Sequence, residues 1–131
     1  MKRLLLILVS IISISFLNAQ TPKWITYTTK SSYYYNVSDG TYIYWCSTTN
    51  GLIKTDINGN IIKEYTTTNG LISNTIYSLF IDRNNILWIG SNGGISKFDG
   101  TTFTNYNTTN GLVNNYIRSI TCDNQGNIWI G

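Results

Sequence analysis

Between Asn69 and Tyr106 the apolar positions fall into four short runs, separated by Asn, Gly and Asp-Gly. Ile76 to Ile81 is nearly continuous in apolar residues, as expected for a strand covered on both faces. Asp82-Arg83-Asn84-Asn85 then turns the chain. Ile86 to Gly90 carries Trp88 in a second strand, and Gly94 to Asp99 forms a third. Asp99-Gly100 is a two-residue hairpin signal. Phe103 to Tyr106 is the fourth strand. No run has the length or the 3.6-residue spacing of a helix.

The pattern repeats. Trp129 lies 41 residues after Trp88, and Gly111 lies 41 after Gly70 (129 − 88 and 111 − 70). "NGLISNTIYSLFIDRNNILWIG" from Asn69 and "NGLVNNYIRSITCDNQGNIWIG" from Asn110 align throughout, pairing Asn74 with Asn115, Ser78 with Ser119 and Asp82 with Asp123. Gly126 stands where the first copy has Asn85, and both residue types tolerate a left-handed backbone. A looser copy spans Tyr33 to Tyr65. Its Asp39, Trp45, Gly51 and Asp56 stand 43 before Asp82, Trp88, Gly94 and Asp99. Trp45, Trp88 and Trp129 are therefore expected in one slot of successive units, as core packing.

A four-stranded sheet with apolar residues on both faces needs a like sheet on each side. Four strands every 41 residues is the period of a β-propeller blade. A plain antiparallel sandwich also uses short strands, but it has no reason to repeat the same side chains at the same slots. The expected architecture is all-β: an incomplete β-propeller over 20–131, with units at 33–65, 69–106 and 110–131. "WITY" (24–27) matches the fourth-strand positions Ile62–Tyr65 and Phe103–Tyr106, so an outer strand opens the chain. Rings use about four to eight blades. The expectation is thus an N-terminal piece of a longer protein rather than an arc completed by self-association, which would leave a raw sheet edge.

The first residues have a different pattern. Lys2 and Arg3 precede an uncharged run from Leu4 to Leu17, and Ala19 follows. This is the layout of a secretory signal over 1–19, and the run is short for a membrane anchor, which needs roughly 18 residues. No Cys follows the cut, which argues against a lipid anchor. The whole chain carries +3; without Lys2 and Arg3 the balance is 7 − 6 = +1. No basic patch for nucleic acid and no charge block for a membrane surface remains. Export to the periplasm or cell exterior follows. Aromatics at 14% and charged residues at 11% complete a strand-rich, weakly charged profile.

"GLISNTIYSLFIDRNNILWIGSNGGISKFDGTTFTNY" resembles the two-component regulator propeller repeat: Gly-Leu, Asn, a short strand, Asp and a turn, Leu-Trp-Ile-Gly, Phe-Asp-Gly and a closing Tyr. The resemblance covers about Trp24 to Gly131. In the first unit Cys46-Ser47 replaces Ile-Gly, and Thr55 replaces the Phe before Asp56. The resemblance implies a periplasmic or extracellular propeller. Many members form the sensor half of hybrid histidine kinases responding to glycans; others are secreted or surface propellers. No kinase, DNA-binding or later membrane segment appears in these residues.

Catalysis finds little support. The chain has no His, which removes Ser-His-Asp and Cys-His systems and histidine-bound metals. Asp39, Asp82 and Asp123 share one turn slot, and Asp56 and Asp99 share another, which marks turn formers. "DINGN" (Asp56, Asn58, Asn60) lacks the Gly position and closing Glu of a calcium loop. No cofactor or metal is expected. Cys46 and Cys122 sit a blade apart, too far for a disulfide, and read as small apolar residues.

Repeated slots carry scaffold, so binding is sought where the units differ. Early in the first strand Tyr34, Tyr77 and Arg118 share a slot but not a chemistry, and Tyr116 replaces Thr75. In a propeller this strand lines the channel and opens on one rim. Tyr and Arg there can stack on a sugar or hydrogen-bond to it. The expected partners are a glycan, another small ligand, or a second propeller in a dimer. Two readings follow: a sensing domain of a two-component signalling protein, or a secreted, non-catalytic scaffold. Membrane attachment would come only from regions beyond these residues.

Overall fold

The computed structural model describes residues 33–131. The signal-sequence reading and the outer strand at 24–27 lie outside the described residues. The described chain forms strands β1 (Tyr33–Ser38), β2 (Tyr42–Ser47), β3 (Leu52–Asp56), β4 (Ile61–Tyr65), β5 (Ile76–Ile81), β6 (Leu87–Ser91), β7 (Ile95–Phe98), β8 (Phe103–Tyr106), β9 (Ile120–Cys122) and β10 (Ile128–Ile130). They make two four-stranded antiparallel meanders, β1-β2-β3-β4 and β5-β6-β7-β8, and one β9-β10 pair. These are the blades of a β-propeller. The first strands lie side by side, β5 packing on β1 and β2 and β9 on β5 and β6. Among the described residues no helix is long and apolar enough to cross a membrane.

Each reversal is built by a short polar side chain. At the β5–β6 turn the Asp82 carboxylate accepts from the backbone N–H groups of Asn84 (2.8 Å) and Ile86 (3.1 Å). Asp123 does the same for Gln125 and Asn127, both at 2.9 Å. Asn85 (φ 59°) and Gly126 (φ 90°) both take the left-handed backbone that the exchange of Asn for Gly anticipates. Between blades the chain makes a single 3-10 turn, Thr67–Asn69 and again Thr108–Asn110, each closed by a capping box. Gly70 (φ 117°) and Gly111 (φ 101°) end these turns in a conformation other residues strain to reach. The recurring Asn pins the link to the strand that follows it. Asn74 Oδ1 accepts from Thr67 N–H and Asn115 Oδ1 from Thr108 N–H, both at 2.8 Å.

The core lies between blades. Tyr44, Cys46, Leu52 and Tyr65 of the first blade are buried against Ile76, Leu87, Ile89 and Phe98 of the second. Burial of each such large apolar side chain contributes about 1.5–3 kcal/mol. The Phe98 and Phe103 rings stack at 4.4 Å, and Tyr65 meets both edge-on at 5.1 and 5.4 Å. The other face of the second blade buries Ile95 against Ile117 and Ile120, with Trp88 and Phe80 alongside. Gly90 is the point of closest approach. A Cβ there would meet Ser78 Oγ, Ile117 O at 2.8 Å and Ile117 Cγ2 at 2.9 Å.

The strand register corrects the expected Trp slot. Asp39 N–H bonds to Tyr42 O, whereas Asp82 N–H bonds to Ile86 O. The first turn is thus one residue shorter, which moves β2 by one position. Val37 pairs with Tyr44 as Phe80 pairs with Trp88. Tyr44, not Trp45, holds the slot of Trp88 and Trp129. The chemistry agrees: Trp88 Nε1 donates to Asp82 Oδ2 (2.9 Å), Trp129 Nε1 to Asp123 Oδ2 (3.1 Å) and Tyr44 Oη to Asp39 Oδ2 (3.3 Å). Trp45 points to the opposite face and donates Nε1–H to Thr55 Oγ1 at 3.1 Å. The loop after β2 restores the spacing: Ser47 N–H bonds to Gly51 O, but Ser91 N–H to Gly94 O. Cys46 therefore stands where the second blade has Gly90, and Ser47 where it has Ser91.

Candidate functional site

Antiparallel blades put two kinds of connection at two ends. The β1–β2, β3–β4, β5–β6, β7–β8 and β9–β10 turns share one end, and the links between blades share the other. Asp39, Asp56, Asp82, Asp99 and Asp123 all lie at the turn end, leaving Glu64, on β4, as the sixth acid of the chain.

These carboxylates are saturated by their own turns. Asp99 accepts from Thr101 N–H, Thr102 N–H and Thr102 Oγ1 at 2.8–2.9 Å, and the Thr102 and Thr101 amides hold its carboxyl well below the usual range. The Asn127 side chain, followed by its amide and Trp129, holds Asp123 at about 2. Asn60 lowers Asp56 in the same way. For Asp82 partial burial pushes upward, but bonds from Trp88, Ile86 and Asn84 outweigh it and the net shift is downward. A carboxyl poised for acid–base work at neutral pH is shifted the other way. In the β3–β4 turn the Asp56 carboxylate accepts from Asn58 N–H, Asn60 N–H and the Asn60 side-chain amide. Among the described residues no group of His, Cys, Asp or Glu is placed to hold a metal.

Cys46 and Cys122 are both free thiols. Cys46 is fully buried, and that burial pushes its thiol up to about 12. Cys122 is half-buried, less enclosed than its apolar reading anticipates, beside the Asp82 and Asp123 turns. Arg83 ties those two turns together, donating to Asn124 O (3.2 Å) and Asn124 Oδ1 (3.0 Å).

At the opposite end the irregular starts of the first strands place the candidate ligand residues. The β1 and β5 registers each slip by one residue, at Tyr34 and at Tyr77. On the third blade Arg118 N–H and Ser119 N–H both donate to Gly131 O, at 2.6 and 2.9 Å. All three backbone positions are therefore bulges, and a bulge re-aims the chain away from the regular pleat. Tyr34 lies on β1, at the corresponding backbone position of the preceding blade.

Three of the four candidates come together. The Tyr77 and Tyr116 rings stack at 6.2 Å and 19°. The Arg118 guanidinium lies over Tyr77, 5.1 Å from the ring centre. Tyr77 thus contacts both residues, while Tyr116 is 55% exposed and Arg118 is exposed. Val113 and Asn114 lie beside Tyr116. Asn114 Oδ1 accepts from Tyr116 N–H at 2.9 Å and fixes the backbone that presents the ring. Val113 and Asn114 were not anticipated. The signal was present, since they replace Ile72 and Ser73 of the preceding unit.

The architecture defines a class: stacked four-stranded blades of a β-propeller. Residues 70–93 and 111–131 match the family model described as Two component regulator propeller. Each matched stretch runs from the interblade Gly through the first strand to the Trp-bearing strand. The first unit, with its shorter turn and Tyr44 in the Trp slot, is not matched. No curated protein matches the chain significantly.

Among solved structures, the extracellular domain of the putative hybrid two component system BT4673 from B. thetaiotaomicron superposes with a TM-score of 0.65 at 18% identity, over 76% of this chain and 15% of that one. The extracellular domain of the putative hybrid two component system BT3049 from B. thetaiotaomicron gives 0.61 at 23% identity, over 76% and 14%. These likenesses establish the fold. The chain spans about 15% of the length of those domains.

Proposed function

We propose that the chain forms blades of an exported propeller that senses a ligand for a two-component signalling protein. It acts by binding, not catalysis. The likeness to extracellular domains of putative hybrid two component systems supports this reading, as do the family repeats. The observation that carries the ligand site is the convergence of Tyr77, Tyr116 and Arg118 at the end of the blades opposite the turn carboxylates. A sugar ring stacks on the exposed face of Tyr116 through its C–H surface, and its hydroxyls accept from Arg118.

The test is glycan-array binding by the full-length gene product's exported region, with affinities by calorimetry. Tyr116→Ala and Arg118→Ala should each weaken a bound glycan about tenfold or more, from the loss of one ring contact or one charged donor. Both side chains are exposed, so the melting temperature should hold. Affinities unchanged in both variants would remove the site. Binding of a second propeller and no glycan would favour the adaptor role instead.

A further inference from the structure

We infer that Asn58 is a site of spontaneous covalent modification, selected by the fold from among the Asn–Gly pairs because its side chain is left free to close on the following amide. The reaction is deamidation. The Gly59 nitrogen attacks Asn58 Cγ, a C–N bond forms and the Cγ–Nδ2 bond breaks. Ammonia leaves with the proton that the Gly59 nitrogen gives up. Water then opens the cyclic imide at either carbonyl and leaves aspartate or isoaspartate at position 58.

The chain holds five Asn–Gly pairs, beginning at Asn50, Asn58, Asn69, Asn92 and Asn110. A following glycine has no side chain to shield the attacking nitrogen, so all five are open to the reaction by sequence. The fold separates them. Asn69 Oδ1 accepts from Thr66 N–H (2.6 Å) and its Nδ2 donates to Glu64 O (3.0 Å). Asn110 Oδ1 accepts from Asn107 N–H at 2.9 Å. Asn92 Oδ1 accepts from Ser73 Oγ at 2.6 Å, in a half-buried loop. Asn50 precedes a buried glycine, Gly51, whose N–H is bonded to Asn74 O at 3.0 Å. Asn58 is exposed in the β3–β4 turn. Its backbone N–H is held by Asp56 Oδ1 at 2.9 Å, and among the described residues its side-chain amide has no partner. Gly59 N–H donates to Asp56 O at 3.1 Å, a bond that opens when the tip of a surface hairpin frays. The branched Ile57 before Asn58 gives it no advantage in an unfolded chain, so a lead for Asn58 is a property of the fold. The product alters the turn. Aspartate sets a second carboxylate two residues from Asp56. Isoaspartate adds a methylene to the backbone where Asp56 N–H must reach Asn60 O at 3.0 Å.

Trypsin, cutting after Lys and Arg, places each pair in its own peptide: 31–54, 55–63, 64–83, 84–97 and 98–118. The exported region of the full-length gene product is incubated folded at mildly alkaline pH and sampled over weeks. Mass spectrometry reads the amide-to-acid mass gain and the isoaspartate content of each peptide. Peptide 55–63 should convert about tenfold faster than any of the other four, the factor that about one retained hydrogen bond sets for each of them. In urea that lead should vanish, because the protection of the other pairs is structural. Asn58→Gln should stop the conversion of 55–63, since a glutamine closes a larger and slower-forming ring. Conversion of 55–63 no faster than the others in the folded protein overturns the inference. A lead that persists in urea also overturns it, because it then belongs to the local sequence. Conversion that survives Asn58→Gln places the reaction at Asn60 and overturns it as well.

Discussion

Gly90→Ala separates a structural glycine from a merely permissive one. Gly90 does not need a left-handed backbone, since it is absent from the positive-φ glycines. An Ala there should by itself gain about 0.4–1 kcal/mol by restricting the unfolded chain. The structure opposes that gain. The new Cβ would collide with Ser78 Oγ and stand 2.8 Å from Ile117 O and 2.9 Å from Ile117 Cγ2. Ser78 can rotate. Ile117 O is backbone, and the same residue's N–H bonds to Ser91 O at 2.9 Å across the blade interface. Moving it by a few tenths of an ångström strains the contact that joins the second and third blades. Overpacking of this kind costs about 1–3 kcal/mol, so the net expectation is a loss of about 1–2 kcal/mol. Urea unfolding followed by Trp fluorescence measures it, with Gly90→Ala/Ser78→Gly as the companion. Removing the Ser78 hydroxymethyl should recover part of the loss and no more, because the Ile117 contacts persist. A Gly90→Ala variant as stable as the parent, or more so, refutes the close-approach argument.

Ser78→Ala alone should be neutral or slightly stabilising in the same assay, because Ser78 Oγ is buried without a hydrogen-bond partner. Phe98→Ala should lose about 3–5 kcal/mol in urea melts, since a fully buried ring between Tyr65 and Phe103 leaves a cavity. The Asp123 carboxyl, at about 2 when folded and about 3.9 when unfolded, contributes stability that is fully present above about pH 4 and is lost as pH falls through about 2. Carboxyl chemical shifts should show Asp123 titrating below the ordinary range, and an ordinary midpoint would contradict the turn network. Cys46, with its thiol raised to about 12 by burial, should resist iodoacetamide at pH 8 until the chain is unfolded.

The sequence made the blades legible because their constraints are local. Turn formers at Asp82 and Asp123, apolar alternation in β6 and β7, and the capping Asn-Gly pairs each act within a few residues, and a period of 41 brings them back in register. Tyr77, Tyr116 and Arg118 stand out in the sequence as positions that differ between units, and the fold brings these three side chains together. The Trp slot was not legible, and the cause is specific. A one-residue deletion before β2 and a one-residue insertion after it cancel. An ungapped offset of 43 then aligns Trp45 with Trp88 by identity. What the slot selects is a flat ring with a donor long enough to reach the turn carboxylate, and Tyr44 supplies that through its hydroxyl while Trp45 faces the other way. The same shift sets Cys46 in the place of Gly90. That exchange is tolerated because the first-to-second blade contact has room for a thiol at the point where the second-to-third contact has Ile117 O. Interblade spacing at this slot is therefore set pair by pair along the chain, and the matching of unlike neighbours, more than the repeat itself, determines how tightly successive blades close.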